Sequence, residues 1–444
     1  MATAERGTVF DGMRVAVIGG GPAGSFFAHL LLTAAARRGI RPQITIIDSK
    51  DFEMAGRRGC NMCAGTLSGW LVDELEREGY RFPEHVVQRY IHGYVIHGPG
   101  REARLAQRPN QKIYTVFRGI PFPEMINERG SFDQFLLDHA LAMGAQYIRA
   151  HVRHLDLPDA PGRPVRIQYT PPAESVHEAD LVVGAFGVNS NLARQFVPGY
   201  RPPKVWHAFQ GEIFVDRDRI AQVYGDQVHI FLGDGRRIKF IALTPKRWHV
   251  TLTAIGRDVK RPDVENYLRE RRLAPFLPED WSFRCHCHPA FPVSSAGRPY
   301  ADGLVIIGDA CVSRYLKNGI ESAWYTARFA VETILQHGTT AAAFRAHYVR
   351  ACRRKYRVDN LFGKMIFALN DLFCRMPILT NGHVRAVRGE QDWPPAYRRH
   401  SQILWDVFTG DRSYARIFLS CCHPLVHVRT GWETARELGN RIFR

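Results

Sequence analysis

The stretch Arg14-Val-Ala-Val-Ile-Gly-Gly-Gly-Pro-Ala-Gly24 decides how the rest of the chain is read. Val15 to Ile18 are a short, unbroken apolar run, the pattern of a strand buried on both faces of a sheet. Gly19, Gly21 and Gly24 then fit G-x-G-x-x-G, with Ala23 inside the motif, and the small apolar segment 25–36 reads as a helix. A strand, a tight glycine turn and a helix N-terminus make a phosphate site. The glycines let the backbone approach a pyrophosphate, and the helix N–H groups and dipole favour its negative charge. A second apolar run, residues 43–47, ends in Asp48, 24 residues beyond Gly24. An acid at that place accepts hydrogen bonds from the ribose hydroxyls of a bound dinucleotide. The competing reading is a purely structural glycine turn, and strand, helix and acid in this order argue against it.

The chain has 444 residues, too many for one ordinary core, so two or three domains are expected. Hydrophobic residues make up 45% and charged residues 23%, a globular composition. The formal charge is +17, and residues 341–444 alone carry 18 Lys and Arg against 8 Asp and Glu. A basic surface of this kind meets nucleic acid, an anionic membrane face or an anionic partner. No nucleic-acid module is visible, which sets the first aside. Nine cysteines in so long a chain are not a disulfide scaffold, so reduced thiols are expected. Residues 1–13 hold no apolar signal core and no run reaches the roughly 18 apolar residues of a spanning helix. The expectation is a cytoplasmic protein, soluble or lying on a membrane face.

Along the chain, residues 50–69 leave the fingerprint unit through a loop rich in Gly and Cys, and helical spacing resumes at Trp70. Residues 90–117 read as two or three strands, and 132–142 as an amphipathic helix. Residues 181–184 and 304–307 are further buried strands, the second closed by Gly308-Asp309. Residues 205–255 alternate apolar and polar in four runs, the mark of an antiparallel sheet. Residues 319–335 read as a long helix. The fold class expected is α/β: a Rossmann-like nucleotide domain in pieces (1–90, 122–195 and 291–336), an inserted antiparallel-sheet substrate domain (91–121 and 196–290), and a helical, basic C-terminal region (337–444).

Five segments, in order, resemble the FAD-dependent geranylgeranyl reductase family, within the larger group that includes aromatic-ring hydroxylases. They are the Gly19–Gly24 fingerprint with Asp48, Cys63-Ala-Gly-Thr-Leu-Ser68, Arg129-Gly-Ser-Phe-Asp133, Ala179-Asp-Leu-Val-Val-Gly-Ala-Phe-Gly187, and Gly308-Asp309-Ala with Lys317-Asn-Gly319-Ile320. The resemblance covers residues 14 to about 335. It implies FAD as cofactor, with Asp48 on the adenosine ribose, Cys63 and Ala64 by the flavin, Arg129 against the cofactor and Asp309 on the ribityl chain. It also sets the N–H groups of Gly319 and Ile320 toward the flavin O2 edge, where a helix N-terminus stabilises the charge of a reduced flavin.

Two features depart from the family pattern. Phe186-Gly187 stands where Asp-Gly is usual, which puts direct use of a nicotinamide in doubt and favours a ferredoxin-like donor. The loop after Asp309 is short and carries Arg314 and Lys317, which either face an anionic head group or are solvated.

Cys60-Asn-Met-Cys63 and Cys285-His-Cys287-His288 stay open between small buried hydrophobes, a redox pair and a metal site; no metal is assigned. Cys63 is the candidate catalytic acid, giving the proton that complements hydride transfer from flavin N5. Phe362, Ile366, Leu369, Phe373 and Met376, near Lys364 and Arg375, make either an interfacial membrane helix or a helix packed on the protein. The leading expectation is an oxidoreductase that reduces carbon–carbon double bonds of an isoprenoid or other lipid. A flavin monooxygenase acting on an apolar substrate, and a non-redox prenyl-binding escort, are the alternatives.

Overall fold

The computed structural model describes residues 8–56, 59–60, 64–120, 130–157, 163–171, 175–190, 192–270, 273–317 and 319–442. It divides into two compact units, one of residues 1–61, 118–205 and 290–358, the other of residues 62–117, 206–289 and 359–444.

The first unit is built on the strand Arg14–Ile18, in which Val15, Ala16 and Val17 are fully buried. It lies between Gln43–Asp48 and Leu181–Gly184, parallel to both. Gln146–Arg149 extends the sheet on one side, and Leu304–Ile306 with the antiparallel Tyr300–Ala301 on the other. Such strands are apolar throughout because helices cover both faces. The helix Pro22–Ala36 buries Phe26, Phe27 and Leu31 completely, each worth about 1.5–3 kcal/mol of burial. Phe26 meets Trp324 edge-on at 5.1 Å, which joins this helix to Gly319–His337. The helix Phe132–Ala142 starts at Ser131, whose hydroxyl accepts from the Gln134 N–H. A smaller antiparallel sheet, His151–Asp156, Val165–Thr170 and Ser175–Ala179, completes the unit.

The second unit is a seven-stranded sheet in the order Phe283–Cys287, Phe209–Phe214, His249–Gly256, Ile238–Pro245, Gln227–Leu232, Gly93–His97, Glu102–Ala106. Neighbours are antiparallel except Gln227–Leu232 with Gly93–His97. Phe209, Ile213, Ile241, Leu243, Val250 and Leu252 are fully buried in its core. C-terminal helices belong to this unit. Val384 and Val387 of Pro377–Arg388 and Trp405 of Arg399–Thr409 join Tyr94, Ile96 and Leu105 in one apolar cluster.

Candidate active site

The first unit gathers its glycine turns at the carboxyl ends of the parallel strands, where open α/β sheets bind ligands. The Gly19 N–H donates to the Ile47 carbonyl at 2.9 Å and so ties two adjacent strand ends together. Gly19 has φ +112°, and a side chain there would run into the Ala185 carbonyl. A side chain at Gly24 would overlap the Gly19 carbonyl. Gly21 is the extended N-cap of the helix, with no side chain capping it, and Ala23 lies in its first turn. The turn therefore exposes main chain where an anion can approach.

Asp48 ends the second strand beside this turn. Its Oδ2 accepts the Gly20 N–H at 2.7 Å and its Oδ1 the Lys50 N–H at 2.9 Å. Burial pushes its carboxyl up, and those two hydrogen bonds and the Lys50 ammonium oppose the shift. Each oxygen keeps a further lone pair for a hydroxyl. The Lys50 ammonium donates to the Cys60 carbonyl at 2.8 Å, which pins the loop carrying Cys60.

Gly308, at φ +69°, closes the strand Leu304–Ile306, and a Cβ on it would stand 3.0 Å from the Ala23 side chain. Asp309 is thereby set against the fingerprint helix. Its Oδ1 is buried and lacks a hydrogen-bond partner among the described residues. Burial raises its pKa; Arg118 and a Ser313 hydrogen bond oppose this. Gly319 opens the long helix directly beside that carboxylate, where a Cβ would stand 2.7 Å from Oδ1. Ile320, next along the helix, is buried. Segments 19–24, 48, 308–309 and 319–320 thus converge within one unit.

Arg118 is a residue that sequence reasoning missed. Its guanidinium grips Asp133 in a fork, at 2.9 and 2.8 Å, and Asp133 is wholly buried in the first turn of the helix Phe132–Ala142. Fifteen residues of sequence separate the two, and no local pattern joins them. The side chain of Phe186 folds back over Gly184 and is half-buried. Arg314 is not a solvated cation: it is 4% exposed and lies 4.0 Å from Glu321. Cys63 and Arg129 lie outside the described residues, and Ala64 belongs to the second unit.

Beside Ala64 the second unit holds a buried polar cluster with no counterpart in the sequence reading. Glu212 and Thr251 face each other across two strands, and the Thr251 hydroxyl donates to Glu212 Oε2 at 2.7 Å. The fully buried Lys246 ammonium is 3.8 Å from Glu212 Oε1 and 3.6 Å above the Phe117 ring. Burial raises Glu212, and Lys246 and Thr251 oppose the rise. His249 is lowered to about 3, by burial first and then by Lys246. Gly65, at φ +70°, adjoins this cluster: a Cβ there would stand 3.6 Å from the Lys246 ammonium. Cys285 and Cys287 alternate along the strand Phe283–Cys287, so both lie on one face of it. Among the described residues no three His, Cys, Asp or Glu side chains converge as a metal-binding group.

No protein-family model matches the chain. It is 26% identical over 336 residues to the geranylgeranyl diphosphate reductase of Synechocystis, an alignment spanning 73% of this chain and 75% of that one. Its fold matches the crystal structure of a geranylgeranyl bacteriochlorophyll reductase-like protein from Thermoplasma acidophilum. The TM-score is 0.65 at 17% identity, covering 93% of this chain and 99% of the other. It also matches halogenase PltM in complex with phloroglucinol and FAD, at TM-score 0.61 and 12% identity over 95% of this chain and 96% of that one. The chain is a homologue of the geranylgeranyl diphosphate reductases and has the fold of the FAD-dependent flavoproteins.

Proposed function

We propose that this FAD-dependent oxidoreductase saturates carbon–carbon double bonds of an isoprenoid or similar lipid. The observation that carries this reading is the convergence of the fingerprint turn, Asp309 and the Gly319 helix start in a chain homologous to geranylgeranyl diphosphate reductases. The residues fit FAD. The glycine cradle leaves room for a pyrophosphate, and buried Asp309 Oδ1 awaits a donor such as a ribityl hydroxyl. When bound, FAD supplies the hydride.

The chain's own groups do the rest. Asp48, held by two backbone N–H groups, takes the adenosine ribose. Gly319 and Ile320 begin their helix, and its positive end would stabilise the charge of a reduced flavin held there. The resemblance assigns Arg129, Cys63 and Ala64 to the cofactor as well, and Cys63 is the group proposed to give the proton that completes the reduction. With Phe186 in place of an aspartate, a small acidic redox protein of the ferredoxin kind, docked on the basic surface, supplies electrons better than a nicotinamide. Among the described residues no helix is long and apolar enough to cross a membrane.

Mass spectrometry of lipids from a heterologous host, with and without this chain, tests the reading. Reduction adds about 2 Da per double bond; hydroxylation, the monooxygenase outcome, adds about 16 Da and would replace it.

A further inference from the structure

The helix Val349–Cys374 and the turn beyond it present an apolar stripe to solvent. Leu361, Met365, Leu369, Leu372 and Met376 recur at helical spacing and are 58%, 43%, 42%, 51% and 39% exposed. This is not the face by which the helix packs. The packing face carries Phe362, whose ring is 5.1 Å from Phe418, with the buried Ile366 and Phe367, and Gly363 against the Tyr414 ring. The stripe expected from sequence mixed the two faces: Ile366 is buried, Phe362 and Phe373 are half-buried, and only Leu369 and Met376 stand out.

The neighbouring helices add to the exposed apolar surface. Leu419 of Tyr414–Cys421 is 68% exposed, and Leu425, Val428 and Trp432 of Pro424–Ile442 are 60%, 69% and 64% exposed at spacings of three and four. Lys364 and Arg375 are exposed on the segment of the stripe itself, Arg357 is exposed one turn before it, and Arg416 is exposed on the helix Tyr414–Cys421, which packs on this one through Phe418. The two carboxylates of this part of the helix are engaged elsewhere. Asp371 pairs with Lys239, and Asp359 accepts the Ala415 N–H at 3.4 Å.

We propose that this face docks on an anionic lipid bilayer, with the leucine and methionine stripe in the acyl boundary and Lys364, Arg375 and Arg416 at the level of the head groups. Charge decides between occupants. A second copy across the stripe would set cations against cations, whereas an anionic bilayer accepts apolar side chains and cations together. The proposal concerns binding alone, and vesicle binding is measured without turnover, so it stands or falls apart from the substrate reading.

The test is sedimentation of the full-length protein with vesicles of phosphatidylcholine alone, or mixed with phosphatidylglycerol. Binding is expected to the mixed vesicles, falling with salt. Lys364→Gln with Arg416→Gln is expected to weaken it about 30-fold, at about 1 kcal/mol per cation near an anionic surface. Leu361→Glu, Leu369→Glu and Leu372→Glu together are expected to abolish it. If that variant loses its far-UV CD spectrum, the milder pair Leu361→Asn and Leu372→Asn takes its place. Phe10→Glu, at a position 54% exposed in the other unit, leaves binding unchanged. Failure to bind mixed vesicles, or full binding by the stripe variants, overturns the proposal. So does a dimer in solution that the stripe variants split, because the face would then join two copies.

Discussion

Gly319→Ala probes the centre of the cofactor cradle. The new methyl would stand 2.7 Å from Asp309 Oδ1 and 2.8 Å from its Cγ. Carbon atoms in contact prefer about 3.5–4.0 Å, so the carboxylate must retreat by roughly 0.7 Å or more. It is the end of a side chain, so the fold survives. What suffers is its aim at the cofactor. Losing one hydrogen bond to a charged group costs about 1.5–3 kcal/mol, which raises the FAD dissociation constant about 10- to 150-fold. Titration of the apoprotein with FAD, followed by flavin fluorescence, measures this, and melting without FAD should stay near the parent. A double-mutant cycle sharpens it. On an Asp309→Ala background there is no carboxylate to displace, and Gly319→Ala should then cost almost nothing. Unchanged FAD affinity in the single variant, or an equal loss on both backgrounds, refutes the reasoning.

Arg118→Ala should destabilise the protein by about 3–5 kcal/mol, because it removes the forked ion pair of the buried Asp133 carboxylate; urea unfolding should show it, with recovery in the Arg118→Ala, Asp133→Ala pair. Stability should also fall as pH drops below 6.5. Burial lowers His97 to about 4 and His229 to about 3, so the unfolded chain binds more protons there. The contribution is complete above the ordinary histidine value of about 6.5 and shrinks toward those folded values, by about 2 kcal/mol per imidazole at pH 5. Equal urea midpoints at pH 8 and pH 5 would contradict this, and His229→Phe should flatten the dependence. Cys63→Ala should lower turnover on the order of 10²-fold while FAD occupancy and melting stay near the parent, since a proton donor acts in the transition state. Near-full activity would make Cys63 a packing residue and move the proton to another group or to water.

What could be read from sequence follows the reach of local signals. Residues 14–24 announce a strand, turn and helix because burial on both faces and glycine sterics leave a local trace. The same holds for Gly308-Asp309 and for the helix Phe132–Ala142, whose bounds match the amphipathic segment. Arg118 and Asp133 left no such trace, since their pairing depends on a long return of the chain. Lys246 and Glu212 were hidden for another reason. Charged residues are usually solvated, and only the folded structure shows Glu212 buried opposite Thr251 and Lys246 buried beside Glu212. On the helix Val349–Cys374 both sides are apolar, so periodicity alone could not say which side packs and which faces solvent.

One anaerobic turnover separates reduction of the lipid from its oxygenation. The FAD-loaded protein, reduced with dithionite, is mixed with a geranylgeranylated lipid in the absence of oxygen, and flavin absorbance and product mass are followed together. Absorbance near 450 nm, the usual oxidised-flavin band, should return with the lipid alone, and the product should be about 2 Da heavier per reduced bond. Flavin that stays reduced until oxygen is admitted, with a product then about 16 Da heavier, would contradict this.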